Sequence, residues 1–159
     1  MLIAGDRWSN WSGSVVCKPK KILSPQDDVE VAAALRCACG CVRVAGNGMA
    51  TAPLCETDGL MLGMAAFDGL LGFDFEKSVA TIGAGTPLWD VAGLIHRAGF
   101  ALNVMGDNDR GTLGGQIAVG THGSGWGVRS MSADVAGFTL VLTSGEVLHC
   151  SPTENADVF

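Results

Sequence analysis

Between Gly106 and Gly125 the chain carries seven glycines, interleaved with small hydroxyl and acidic residues such as Asp107, Thr112, Thr121 and Ser124. Glycine at this density leaves backbone N–H groups open, so the stretch reads as a cradle for an anionic ligand, interrupted only by a short helix over Thr112–Ala118. A second cradle, Gly46-Asn47-Gly48-Met49-Ala50-Thr51, follows the apolar run Val42–Ala45. Two such loops could bridge a dinucleotide diphosphate, which points to a cofactor rather than a single phosphate. A doubly wound dinucleotide fold would place G-x-G-x-x-G between its first strand and helix. Here the third glycine is missing, and Pro53 and polar residues follow in place of a helix. That fold is excluded.

With 159 residues and 48% hydrophobic content, the chain can bury one sizeable core but hardly two full domains, so one domain over 1–159 is expected. A formal charge of −6 argues against nucleic acid and anionic membrane surfaces as partners. No apolar run approaches the roughly 18 residues of a membrane span. Met1–Arg7 lacks the charged start and long apolar middle of a signal peptide, and the expected location is the cytoplasm.

Strand and helix patterns alternate without repeats or low-complexity linkers. Val15–Leu23 reads as extended, and Ser24-Pro25-Gln26-Asp27-Asp28 as a helix start ahead of an apolar face of Val29, Ala32, Ala33 and Leu35. Val42–Ala45 and Leu60–Met64 are short strands, and Leu70–Asp74 with Ser78–Gly83 a hairpin about Phe75-Glu76-Lys77. Thr86-Pro87 opens a helix with Leu88, Val91, Leu94 and Ile95 on its apolar face and Gly99 at its end. Val135–Thr143 and Glu146–Cys150 make a hairpin turned at Ser144-Gly145. The fold class is α+β, as two small α/β lobes, the first over about 10–64 and the second over about 65–159.

Cys37, Cys39 and Cys41 crowd into Cys-Ala-Cys-Gly-Cys, a spacing that fits a metal site poorly. They are read as free thiols, with redox sensing as the alternative, and no metal is expected. Trp8, Trp11, Trp89 and Trp126 read as packing anchors, and His96 as a cation at a helix end. Asp107 and Asp109 read as turn formers or hydrogen-bond acceptors rather than paired catalytic acids.

Five segments in register resemble the flavin-binding domain of the vanillyl-alcohol oxidase superfamily, in its branch of sugar-lactone and alditol oxidases. They are Asn10-Trp11-Ser12-Gly13-Ser14-Val15, Val42-Arg43-Val44-Ala45-Gly46-Asn47-Gly48, Ala84-Gly85-Thr86-Pro87-Leu88-Trp89-Asp90, Gly120-Thr121-His122-Gly123 and Pro152-Thr153-Glu154-Asn155-Ala156-Asp157. The resemblance implies the p-cresol methylhydroxylase type of FAD-binding fold, and FAD as cofactor. It also implies a set of flavin-holding residues: Gly46, Asn47, Gly48, Met49 and Ala50 in the first loop, and Asp107, Thr112, Gly115, Val119, Gly120, Thr121 and His122 in the second.

One departure has chemical consequences. Many of the resembled oxidases carry Gly-x-Gly-His-Ser in the first loop, with the histidine bonded to the flavin; here Met49 and Ala50 stand at the last two positions. A thioether cannot make that bond, so the flavin is expected to be noncovalent, with His122 packing against it or holding structure. In those oxidases a final glycine-rich strand and a separate substrate domain follow the Asn-Ala-Asp segment. The chain is therefore expected to be a fragment, a truncated relative or one subunit of an assembly, incomplete at the C-terminus and inactive alone. Its catalytic residues are unknown, and its partners would be a second copy or a chain supplying the substrate domain. The alternatives are a non-catalytic remnant or interaction module that binds no flavin, and a reductase-type relative acting on an enolpyruvyl sugar nucleotide.

Overall fold

The computed structural model describes Leu2–Ile3 and residues 7–159. Most of the N-terminal stretch on which the reading of no signal peptide rests lies outside the described residues. Among the described residues no helix is long and apolar enough to cross a membrane. The chain is α+β, with short strands and, among the described residues, three short α-helices, and it divides into two compact units.

The first unit comprises Met1–Ala66 and Ala136–Phe159. Strands β1 (Leu2–Ile3), β2 (Arg7–Ser9) and β3 (Val16–Cys17) form an antiparallel sheet in which Trp8 pairs with Cys17. The extended run expected over Val15–Leu23 is broken: β3 ends at Cys17, and β4 (Lys21–Leu23) joins a different sheet. Pro19 between them has no N–H to give a ladder. That second sheet is parallel, in the order β4, β6 (Leu60–Gly63), β5 (Val42–Ala45). Leu60, Met61 and Leu62 are all buried, as a continuous apolar run must be when a central parallel strand is covered on both faces. Trp8, Val15, Cys17, Ala45 and Met61 form this unit's core.

Helix α1 spans Asp28–Arg36 and begins later than Ser24-Pro25 suggests. Asp27 is the cap, accepting from Glu30 N at 2.8 Å, while Glu30 Oε2 accepts from Gln26 N at 2.9 Å. This reciprocal pairing satisfies the first free donors and outcompetes a serine start. Packing also selects a different face: Val31 and Ala32 are buried, and Val29 is exposed. The hairpin β9 (Phe138–Val141) and β10 (Val147–Cys150) turns through Gly145 at φ +80°, with Gly145 N donating to Leu142 O and Leu142 N to Glu146 O. β9 packs on α1, and the Arg36 guanidinium donates to Gly145 O at 3.3 Å. Residues 136–159, grouped by sequence with the second lobe, thus fold with the first unit.

The second unit is Phe67–Val135. Strands β7 (Leu70–Asp74) and β8 (Val79–Ile82) form the expected hairpin. Asp74 ties its turn, accepting from Glu76 N and Lys77 N at 3.1 and 3.0 Å. The Lys77 N–H in particular holds this carboxyl below its ordinary range. Helix α2 (Leu88–Arg97) buries Leu88, Val91 and Ile95 on the predicted face. Its end is closed by Gly99 at φ +84°, where Gly99 N donates to His96 O and Phe100 N to Ile95 O. Helix α3 (Leu113–Ala118) and a 3₁₀ turn (Met131–Asp134) complete the unit, joined by Ser132 Oγ donating to Ile117 O at 2.7 Å.

Candidate functional site

The first cradle leaves β5 at Ala45 and is braced by a side chain that its own residues do not reveal. Asn10 is buried, and its Nδ2 donates to Ala50 O at 3.0 Å and to Ser14 Oγ at 3.1 Å, while its Oδ1 accepts from Val15 N at 3.0 Å. One amide therefore joins the 10–15 turn to the end of the 46–50 loop. Trp11 N adds a bond to Gly48 O at 3.0 Å. Gly48 is itself buried, at φ +65°, and a Cβ there would lie 3.1 Å from Trp8 Cζ2. A side chain at this position would meet both backbone strain and the Trp8 ring. With the carbonyls of Gly48 and Ala50 engaged, the loop's N–H groups remain: no carbonyl among the described residues accepts from Gly46, Gly48, Met49 or Ala50 N. These are the donors an anionic group needs. Gly46, Met49 and Ala50 are partly buried and Asn47 is exposed.

The second cradle folds as loop, helix, loop about α3. Thr112 caps the helix and is buried, its Oγ1 accepting from Gly115 N at 3.4 Å. Leu113 N donates to Thr86 O and Gly114 N to Ala84 O, both at 2.8 Å. The donors of the first turn are thus used internally. Gly114 is needed for close packing, since a Cβ there would come within 3.0 Å of Ala84 Cβ. Thr86, fully buried, donates to Gly83 O at 2.7 Å and accepts from Gly69 N at 2.9 Å, which explains the Ala84–Asp90 segment as the seat of α3.

Gln116 joins the two arms of this loop, and sequence reading missed it. Its Nε2 donates to Asn108 O at 3.1 Å, its Oε1 accepts from Thr121 Oγ1, and its carbonyl accepts from Thr121 N at 3.0 Å. Gly106 lets the arms meet, because a Cβ there would lie 2.6 Å from Thr121 Cγ2. Within the predicted set, the N–H groups of Gly115, Val119, Gly120 and Thr121 are used inside the loop, at Thr112 Oγ1, Gly115 O, Ile117 O and Gln116 O. Those of Asp107 and His122 have no acceptor among the described residues. The exposed His122 ring places Nδ1 3.1 Å from Gly123 O, and because a carbonyl only accepts, Nδ1 carries the proton of that bond.

The tryptophans divide. Trp8 is buried as expected, but Trp11, Trp89 and Trp126 are exposed, Trp126 completely, and so are not packing anchors within the described chain. All six cysteines are free; Cys37, Cys39 and Cys41 are exposed, and no cluster among the described residues gathers enough ligands for a metal ion.

Each unit thus presents a glycine loop with open main-chain donors, fixed by buried or bridging polar side chains on an α+β frame. Residues 19–151 match the family described as an FAD binding domain, and the chain belongs to that family. It is 34% identical over 158 residues to an L-gulonolactone oxidase of Mus musculus, covering 98% of this chain and 36% of the relative. It is 31% identical over 147 residues to an L-gulono-1,4-lactone dehydrogenase of Mycobacterium tuberculosis, covering 91% of this chain and 34% of the relative. A solved chitooligosaccharide oxidase superposes with a TM-score of 0.75 at 23% identity, over 89% of this chain and 32% of that one, and so shares its fold. The chain spans about a third of the length of the curated relatives it matches.

Proposed function

We propose that this chain holds FAD noncovalently for a lactone-oxidase-like oxidoreductase whose substrate-binding part lies outside these 159 residues. The observation that carries the reading is the first cradle. Its open N–H groups run through Gly46, Gly48, Met49 and Ala50, Gly48 is set where a Cβ would meet Trp8, and Met49 stands where the resembled oxidases place their flavin-bonding histidine. When bound, FAD would supply a two-electron acceptor for hydride from a hydroxyl-bearing carbon. The chain's own contribution is positional. In the first unit the main-chain dipoles of the 46–50 loop would offset phosphate charge without a lysine; in the second unit Asp107 and His122 offer the N–H groups that their own loop leaves open. Asn47, Thr112, Gly115, Val119, Gly120 and Thr121 shape the same two loops.

Oxidation also requires the reacting carbon to be positioned beside a proton acceptor, which supplies much of the rate, and the relatives this chain matches are about three times its length. On this reading residues 1–159, taken by themselves, do not turn over aldonolactones or alditols. The reading assigns it to the cytoplasm, where six free thiols persist. The test is to load the purified chain with FAD, precipitate it with acid and measure flavin fluorescence in both fractions. Flavin in the supernatant is the expected result. Fluorescence kept by the polypeptide refutes noncovalent binding, and a chain that takes up no flavin supports the remnant reading instead.

A further inference from the structure

The Cys-Ala-Cys-Gly-Cys segment belongs to no part of the flavin reading, and it borders a groove of about 150 Å³ in the first unit. Leu23 and Leu60 are among the apolar residues lining the groove, together with Lys20, Lys21, Cys37 and Cys39. The segment is held at both ends. Cys37 closes α1, its N–H donating to Ala33 O, and Cys41 O accepts from Leu60 N at 3.0 Å and Thr57 Oγ1 at 3.3 Å. Between them Gly40 turns at φ +94° in open space. Two exposed thiols are thus fixed beside two exposed lysines over an apolar floor. Cys41 is also exposed but does not line the groove.

We propose that this groove is a thiol–disulfide exchange site for a small disulfide whose arms carry carboxylates. The lysines would attract the carboxylates, and the apolar floor would seat the carbon chain. The thiolate of Cys37 or Cys39 attacks one sulfur of the incoming disulfide. A new S–S bond to the protein forms as the old one breaks, and the departing thiolate takes a proton from water. The protein thiol is oxidised by the same two electrons that reduce the leaving arm, so no further oxidant enters.

The experiment exposes the FAD-loaded chain to oxidised glutathione, and separately to cystamine, a disulfide with cationic arms, and follows each cysteine by peptide mass spectrometry. Cys37 and Cys39 should gain a glutathionyl group about three- to tenfold faster than Cys41, the range that one or two exposed charges provide. Cystamine should remove that preference, as should K20A/K21A. Equal rates at the three cysteines with glutathione, or the same preference with cystamine, would overturn the proposal. The comparison of the two disulfides on the unaltered chain stands even where the double variant folds poorly.

Discussion

Asn10→Ala tests whether the first cradle is built from outside itself. Asn10 is 4% exposed, and its removal strands two main-chain groups, Val15 N–H and Ala50 C=O, that each meet the amide at 3.0 Å. An unsatisfied buried polar group costs about 1–3 kcal/mol, so the loss should be about 2–5 kcal/mol. That is a large part of the stability of an ordinary domain. With a denaturant dependence of about 1–3 kcal/mol per molar urea, the unfolding midpoint followed by tryptophan fluorescence should fall by at least about 0.7 M. Flavin affinity should fall as well, because the 46–50 loop loses its tether. Ser14→Ala is the control: it removes one exposed partner of Asn10 and should change stability by less than about 1 kcal/mol. A midpoint for Asn10→Ala within error of the parent, with flavin affinity unchanged, would refute the argument.

Gly48→Val should lose about 2–3 kcal/mol, because a branched residue is forced to φ +65° with its Cβ 3.1 Å from Trp8 Cζ2; thermal unfolding reads this, and flavin titration should show weaker binding. Thr112→Ala removes the cap of α3 and should cost about 1 kcal/mol by the same melt, with a parent-like melting temperature counting against the capping role. Iodoacetamide at mild alkaline pH should label Cys37, Cys39 and Cys41 first, then Cys55, and Cys17 and Cys150 only on unfolding. Cys55 is half-buried, and burial first and Cys17 second raise its thiol pKa, which leaves less thiolate. The Asp74 carboxyl is depressed below its ordinary 3.8, so its tie to the β7–β8 turn is complete above that value and is lost as pH falls through the lower native one. Amide exchange at Glu76 and Lys77 should therefore stay protected at pH 4, and Asp74→Asn should abolish that dependence.

Local chemistry in the sequence decided a good deal. The β7–β8 hairpin, the face of α2 and its glycine end and the 144–145 turn were legible, because each depends on residues within a few positions of one another. Met49 in place of a histidine was visible for the same reason. Tertiary structure decided the remainder. Residues 136–159 fold with the first unit because β9 meets α1 and Arg36 reaches Gly145, contacts more than a hundred positions apart that no periodicity encodes. The buried face of α1 followed its packing partner, and three of four tryptophans stayed exposed. At the cradles, the sequence named glycines, but only the fold showed which N–H groups remain open. Asn10 supports one loop from forty positions away, while Gln116 and Thr86 take up the Thr121 and Leu113 N–H groups of the other, because a hydrogen bond is assigned by proximity in space rather than by order along the chain.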